Sequence, residues 1–172
     1  MKLSPIIAAA LSFSLPATAG PEVGAVVGYS LMSPSTGASA DGGFMMGARG
    51  GFRTDSGAIL DAQVLRNSSG SGGLSTSETV MGVGLRYLMV DAGLSPFVSG
   101  HVNYHMGAQL SGGGVSQAIP DSSGIGIDAG GGLQIRISDL IYTDVLAHYA
   151  LQFTGQHRHN TLGLGLGFGA TF

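Results

Sequence analysis

Apolar and polar residues alternate one by one along most of the chain beyond residue 20. Such a period of two predicts β-strands, because the apolar face of a helix recurs every 3.6 residues instead. Residues 22–32 show the pattern clearly: one face is polar or glycine, and the other carries Val23, Ala25, Val27, Tyr29 and Leu31. The chain therefore reads as a succession of amphipathic strands.

Eight segments follow this pattern: residues 22–32, 43–53, 58–67, 78–90, 96–110, 124–137, 140–153 and 161–172. Each is long enough to cross a bilayer, since a tilted transmembrane strand needs roughly 9 to 11 residues. Short turns follow the second, fourth and sixth segments, whereas longer loops follow the first, third, fifth and, less distinctly, the seventh. The pattern predicts an all-β fold, an eight-stranded antiparallel up-and-down transmembrane β-barrel.

The distribution of charge indicates which face of the strands is inside. A soluble barrel of the lipocalin type also alternates, but its charged face is outside. Here only 10% of the residues are charged, against about a quarter in soluble domains. The polar faces carry equal numbers of arginine and acidic residues, which suits a closed interior where an unpaired charge is costly. The predicted lumen polar network consists of Arg49, Arg53, Asp61, Glu78, Arg86, Asp128, Arg136 and Asp144.

Two pairs are expected within this network, because residues across a short turn face one another directly or diagonally. They are Arg49 with Asp61, and Arg136 with Asp144. The inward face of the last segment is mostly glycine, so bulky groups should fill the lumen from the opposite walls; we expect Met45, Phe97, Tyr142 and Leu146 in this role.

The apolar face is predicted to meet lipid. Its one charged residue is Arg66, near the outer end of the third strand, where it can reach lipopolysaccharide headgroups. Most aromatic residues also fall on this face near strand ends, as in the interfacial girdles of membrane barrels.

The first 19 residues have the features of a secretory signal peptide. Lys2 gives a positive start, residues 5–15 are apolar, and Ala17, Thr18 and Ala19 form an A-x-A cleavage signal. The apolar run is shorter than the roughly 20 residues of a spanning helix. The predicted organisation is a signal peptide at 1–19 and a barrel domain at 20–172.

The last segment alternates apolar residues with glycine and ends on Phe172. This segment resembles the C-terminal signature of bacterial outer-membrane β-barrels, in which the barrel assembly machinery recognises a terminal aromatic residue. Ala170 departs from the signature, which often has a second aromatic there. Together with the signal peptide and the eight strands, the whole chain resembles the small OmpA-like, OmpX-like or opacity-type barrels. The resemblance implies a bacterial outer-membrane location, contact with outer-membrane lipid and lipopolysaccharide, and Phe172 as an assembly signal.

No residue constellation predicts catalysis, a cofactor or a metal. The chain has no cysteine, and His101 and His105 share a face but lie about 13 Å apart along a strand. His157 and His159 are interpreted as exposed loop residues. Residues 157–160 lack the serine of the lipid A deacylase motif that they faintly resemble, so no enzyme is predicted.

The predicted function is structural or surface-interacting, because eight strands enclose an interior that side chains fill. A narrow polar channel through the lumen is the alternative, and a lipid-modifying enzyme is less favoured. The net charge of −3 and the lack of a basic patch give no sign of nucleic-acid binding. The glycine-, serine- and threonine-rich loops do not identify an extracellular partner.

Overall fold

The structure, a computed structural model, describes residues 19–34, 41–71, 73–90, 92–153 and 159–172. The predicted signal peptide lies outside these residues except for Ala19. No helix occurs in the described ranges, and so none that could span a membrane. The strands are β1 (Gly20–Pro34), β2 (Asp41–Arg53), β3 (Ala58–Ser71), β4 (Leu74–Leu88), β5 (Leu94–Gly112), β6 (Val115–Ala118), β7 (Ser123–Arg136), β8 (Ile141–Gln152) and β9 (His159–Thr171).

Eight of these strands form a closed antiparallel barrel. Each pairs with the next along the chain, β7 pairs with β5, and β9 returns to pair with β1. The remaining strand, β6, pairs, among the residues that the structure describes, only with the end of β5, and it extends the barrel wall as a hairpin. The end of the barrel that holds the turns β2–β3, β4–β5 and β7–β8 is called the turn end here, and the opposite end is called the loop end. The predicted eight-stranded barrel is confirmed.

The apolar face of the strands points outward, as the charge distribution predicts. On β8, Tyr142 and Asp144 face the lumen and are 2% and 0% exposed, whereas Ile141 and Val145 between and beside them are 51% and 50% exposed. The same alternation holds on the other barrel strands. The lumen is therefore the polar core, and the outer wall is apolar.

One predicted loop is instead part of the barrel wall. The sequence pattern ends the third strand at residue 67 and predicts a longer loop after it, but β3 and β4 stay paired as far as Ser71 opposite Leu74. The backbone ladder between two strands already in register can continue whatever the side chains, and Thr76 is of a residue type that is enriched in strands. Composition alone therefore placed the hairpin end too early.

A β-bulge reverses the facing of β5 near the loop end. Opposite the step from Glu78 to Val80, β5 has one extra residue, because Ala108 pairs with Glu78 and His105 with Val80. Gly107 takes a φ of +88° there, a conformation that suits glycine. The sequence pattern places Ala108 outward, but beyond the bulge it shares the inward side of Glu78. That prediction is wrong, because alternation cannot register an inserted residue.

Side chains from nearby strands occupy the space beside the glycines of β9. A Cβ atom added at Gly169 would overlap the ring of Tyr142, and one at Gly163 would overlap the imidazole of His148. Both residues lie on β8, opposite these glycines in the ladder. A Cβ at Gly165 would be 3.2 Å from Cε of Met45 on β2. Large inward groups thus fill the space as expected, but Tyr142 reaches it from the adjacent strand and not from the opposite wall.

Candidate functional site in the barrel lumen

The centre of the lumen holds a network of buried ion pairs, called the central network. Its members are Glu22, Arg49, Arg53, Asp61, Arg86, His101, Asp128 and Asp144. They project from the inward positions of β1 to β5, β7 and β8, so that the network links most of the barrel wall. Seven of the eight predicted network residues are buried in the lumen: six belong to the central network, and the seventh, Glu78, belongs to a separate cluster described below.

Arg86 is the hub of the central network, with a side chain that is 1% exposed. It forms an ion pair with Glu22, and its guanidinium lies 3.6 Å from Asp61 and 3.7 Å from Asp144. Glu22 also receives Arg53 at 3.1 Å. One arginine therefore contacts three carboxylates from three different strands.

The pair predicted between Arg49 and Asp61 does not form. Arg49 pairs instead with Asp144 on β8, across the lumen, and Asp61 contacts Arg86 and His101. In the ladder Arg49 lies opposite Gln63, two residues from Asp61, so that Asp61 is its diagonal neighbour. The long arginine side chain extends into the lumen, where carboxylates of distant strands are nearer than its diagonal neighbour.

Arg136 lies at the turn end, apart from the ion pairs of Asp144. It is half-buried and lines a small cavity with Arg53, Gln134 and Tyr142. Its ladder partner is Tyr142, which puts Asp144 in the diagonal position that the sequence predicts. Asp144 also forms ion pairs with Arg49 and Arg86 from other strands.

His101 joins two carboxylates on the β3 to β7 side of the lumen. Its Nδ1 lies 2.7 Å from Asp128, and its Nε2 lies 3.4 Å from Asp61. Asp128 also accepts hydrogen bonds from Asn103 at 2.8 Å and from Gln63 at 2.9 Å. Among the described residues, the carboxylate of Asp128 is thus held by two amide donors and an imidazole, and not by an arginine.

Aromatic rings fill the space between these charges. The ring of Tyr142 lies within 6.0 Å of the guanidinium carbons of Arg49, Arg53 and Arg86, a range in which cations are attracted to ring faces. Its hydroxyl donates to Glu22 at 3.3 Å. Tyr142 therefore blocks the lumen at the level of the central network.

On the loop side of the central network, an apolar cluster closes part of the lumen. Val26, Met45, Leu65 and Val80 are at most 5% exposed, and Leu146 packs against them. The cavity between this cluster and the charged groups measures about 40 Å³, which is room for a few water molecules. The lumen is a packed core.

Beyond that apolar cluster lies a second polar group, called the mouth cluster, made of Asn67, Glu78, His105 and His159. Glu78 lies 3.3 Å from Nδ1 of His105 and 3.0 Å from Nε2 of His159, and it accepts a hydrogen bond from Asn67 at 3.3 Å. The two imidazoles meet edge to face with centroids 5.5 Å apart. Four strands, β3, β4, β5 and β9, supply these side chains.

Sequence reasoning missed two features of the lumen. Glu22 falls on the polar face of its strand but was left out of the predicted network. The mouth cluster was missed because Glu78, His105 and His159 lie far apart in the sequence, and only barrel closure brings β9 near β4 and β5. The interpretation of His159 as an exposed loop residue is wrong, since this residue begins β9 and its side chain is 14% exposed.

The predicted assembly residue Phe172 lies at the turn end, directly after β9. Its backbone N–H donates to Pro21 at 2.9 Å, and its side chain is 65% exposed on the outer wall. Arg66 is also on the outer wall, where it contacts Ser77 at 3.2 Å. Both positions agree with the outward phase of the sequence pattern.

Solved structures share this architecture. Neisserial surface protein A (NspA) aligns with a TM-score of 0.77 and 16% identity over 89% of this chain and 97% of that one. The fold is that of the small outer-membrane β-barrels. Ail of Yersinia pestis aligns with a TM-score of 0.54 and 17% identity, covering 88% of this chain and 99% of that one. The N-terminal β-barrel domain of Pseudomonas aeruginosa OprF gives 0.53 and 13%, with 88% and 99% covered.

The likeness to these barrels is one of fold. No family model and no curated protein matches the sequence. The low identities therefore leave the activity to be argued from the residues of this chain.

Proposed function

We propose that this protein is an integral bacterial outer-membrane protein, whose plugged barrel anchors a set of surface loops and has a structural or surface-interaction role. The observation that carries the proposal is the inverted arrangement of the barrel: charges inside and apolar side chains outside.

The outer wall is too apolar for water. Outward residues on every barrel strand are large and exposed, among them Val23 at 54%, Leu60 at 65%, Val83 at 63%, Val102 at 58% and Leu164 at 57%. Soluble monomers rarely expose apolar patches beyond a few hundred Å². A bilayer accommodates such a wall, and in the closed ladder neighbouring strands pair their backbone groups with one another, so that the barrel presents no open sheet edge to lipid.

The lumen supports a plug in preference to a conduit. Arg86, Tyr142 and Phe97 cross its centre, with the Arg86 guanidinium 5.6 Å from the Phe97 ring, and the remaining cavity is about 40 Å³. A hydrated ion has no continuous path through such a core. We expect planar bilayers that contain the purified protein to show no steady conductance.

A catalytic role is not part of the proposal. His101 and His105 are 8% and 2% exposed and point into the lumen, away from lipid that surrounds the outer wall. The lipid A mass spectrum of cells that express the protein should equal that of control cells. The names of two similar barrels, a surface protein and an attachment invasion locus protein, support a surface role.

Single cysteines test the topology, because the chain has none of its own. Ser116→Cys lies in exposed β6 at the loop end, and the matched Ser56→Cys lies in the exposed β2–β3 turn. On intact cells of a Gram-negative host, a membrane-impermeant maleimide should label the first variant and spare the second until lysis. Recovery in a soluble fraction, or equal labelling of both on intact cells, would refute the proposal.

A further inference from the structure

The mouth cluster brings together two imidazoles and a carboxylate that belong to three strands. One ligand atom from each of Glu78, His105 and His159 can be chosen so that all three lie within 4.8 Å of one another. Their side chains are 1%, 2% and 14% exposed, respectively. The group is enclosed, but its most exposed member faces the loop end.

We propose that the mouth cluster is a binding site for one divalent transition-metal ion of the Zn²⁺ class. His105, His159 and Glu78 would be its three protein ligands, and a water molecule or a group from outside would complete a tetrahedron. Two histidines and one carboxylate are a ligand set that Zn²⁺ uses with an open fourth position.

The distances fit such an ion. Bonds of about 2.0 to 2.1 Å in a tetrahedron separate neighbouring ligand atoms by roughly 3.3 Å. Oε2 of Glu78 lies 3.3 Å from Nδ1 of His105, and Oε1 lies 3.0 Å from Nε2 of His159. The two contacts use different oxygens of the carboxylate, and one ligand atom per residue can be chosen with all three within 4.8 Å of one another. Small side-chain rotations would bring these atoms to the tetrahedral separation around an ion, which would replace the hydrogen bonds that now join them.

The environment of Glu78 also favours a cation. Its contacts within the described part of the chain are with His105, His159 and Asn67, and none is with an arginine. The central network uses its arginines for other carboxylates, and the apolar cluster with Val80 and Leu65 separates the two groups on the β3–β4 side. A buried carboxylate in this position needs a positive partner.

Asn67 contacts the proposed ligand Glu78 and would not bind the ion itself. Its Nδ2 donates to Glu78 at 3.3 Å and orients the carboxylate, and such second contacts to metal ligands tune affinity. The Oδ1 atom of Asn67 is buried and has no hydrogen-bond partner among the described residues. The same holds for Nε2 of His105. Water bound to a metal ion would donate to the asparagine oxygen.

The test is Zn²⁺ titration of the refolded, untagged protein, followed by isothermal calorimetry, with Co²⁺ as a spectroscopic probe. We expect one ion per chain and visible Co²⁺ bands of tetrahedral intensity. Glu78→Gln and His159→Asn should each weaken binding roughly a hundredfold or more, and Asn67→Ala roughly tenfold. His148→Gln removes another lumen histidine and should leave the affinity unchanged.

Heat-modifiable migration in gels verifies that each variant is folded, and His159→Asn, at the most exposed ligand, remains informative if Glu78→Gln does not fold. Absence of Zn²⁺ binding by the folded wild-type chain would overturn the proposal. Binding that survives His159→Asn at full affinity, or that falls equally in His148→Gln, would overturn it too. None of these results bears on the membrane topology, which the cysteine labelling tests separately.

Discussion

Arg49 of β2 and Asp144 of β8 form an ion pair across the lumen, although three ladder steps separate their strands around the barrel wall. The pair is buried, with side chains 7% and 0% exposed. It therefore ties opposite walls of the barrel together.

Asp144→Ala should destabilise the barrel by about 3 kcal/mol or more, because removing one partner of a buried pair leaves its charge unpaired. The double variant with Arg49→Met should cost less than the sum of the two single changes. Urea unfolding in lipid vesicles measures both. As a control, Arg66→Gln on the outer wall should change the free energy of unfolding by less than about 0.5 kcal/mol. Strict additivity of the two changes would contradict a direct pair.

Two glycines give a matched comparison of inner and outer wall. A Cβ at Gly28, on the inner wall, would lie 2.2 Å from the backbone oxygen of Leu164, whereas one at Gly50, on the outer wall, would meet nothing nearer than 3.6 Å. Gly28→Ala should therefore cost about 1 to 3 kcal/mol through overpacking. Gly50→Ala should be neutral or slightly stabilising. Equal unfolding midpoints for the two variants would show that β1 and β9 are not so closely apposed.

The bulge in β5 predicts a backbone effect at one residue. Gly107 has a φ of +88°, where a side chain adds roughly 1 to 2 kcal/mol of strain. Gly107→Ala should lower stability by about this amount, and Gly100→Ala in the same strand, where the nearest atom is 3.6 Å away, should not. Unfolding in vesicles distinguishes them. If Gly107→Ala left the stability unchanged, β5 would run without a bulge.

Tyr142 should hold the lumen closed. Tyr142→Phe removes only the 3.3 Å hydrogen bond to Glu22, so it should cost about 1 kcal/mol and leave the barrel non-conducting. Tyr142→Ala opens a cavity beside three arginines and should cost about 3 to 5 kcal/mol. It should also produce intermittent current in planar bilayers. If Tyr142→Ala produced no current, the arginines and Phe97 would block the lumen without the tyrosine.

The strands and their facing could be predicted because both depend on local alternation. Tyr142 and Asp144 were assigned inward and Val145 outward from phase alone, and the burial of each agrees. The alternation predicted the wrong side for Ala108, because an inserted residue shifts the pattern there. It also could not show the extent of the β3–β4 hairpin, because serine-rich tracts occur in strands as well as in loops.

The partners of the lumen residues could not be predicted in the same way. Alternation says that Arg49 faces inward, but the choice between Asp61 and Asp144 depends on barrel diameter and side-chain reach. Likewise, His105 was compared only with His101 on its own strand. Its contact with Glu78 is a diagonal one between the paired strands β4 and β5, whereas its proximity to His159 arises from closure of β9 against β1, which sequence spacing does not encode.

Strand β6 has a consequence for how another polypeptide could attach. Around the ring every barrel strand has a neighbour on both sides, but within the described residues β6 pairs only with β5, and all four of its residues are exposed. Edge strands are templates for added strands. An incoming chain that binds by extending the sheet would therefore have a single short docking edge, at the tip of the loop end, and its length would limit recognition to about four residues.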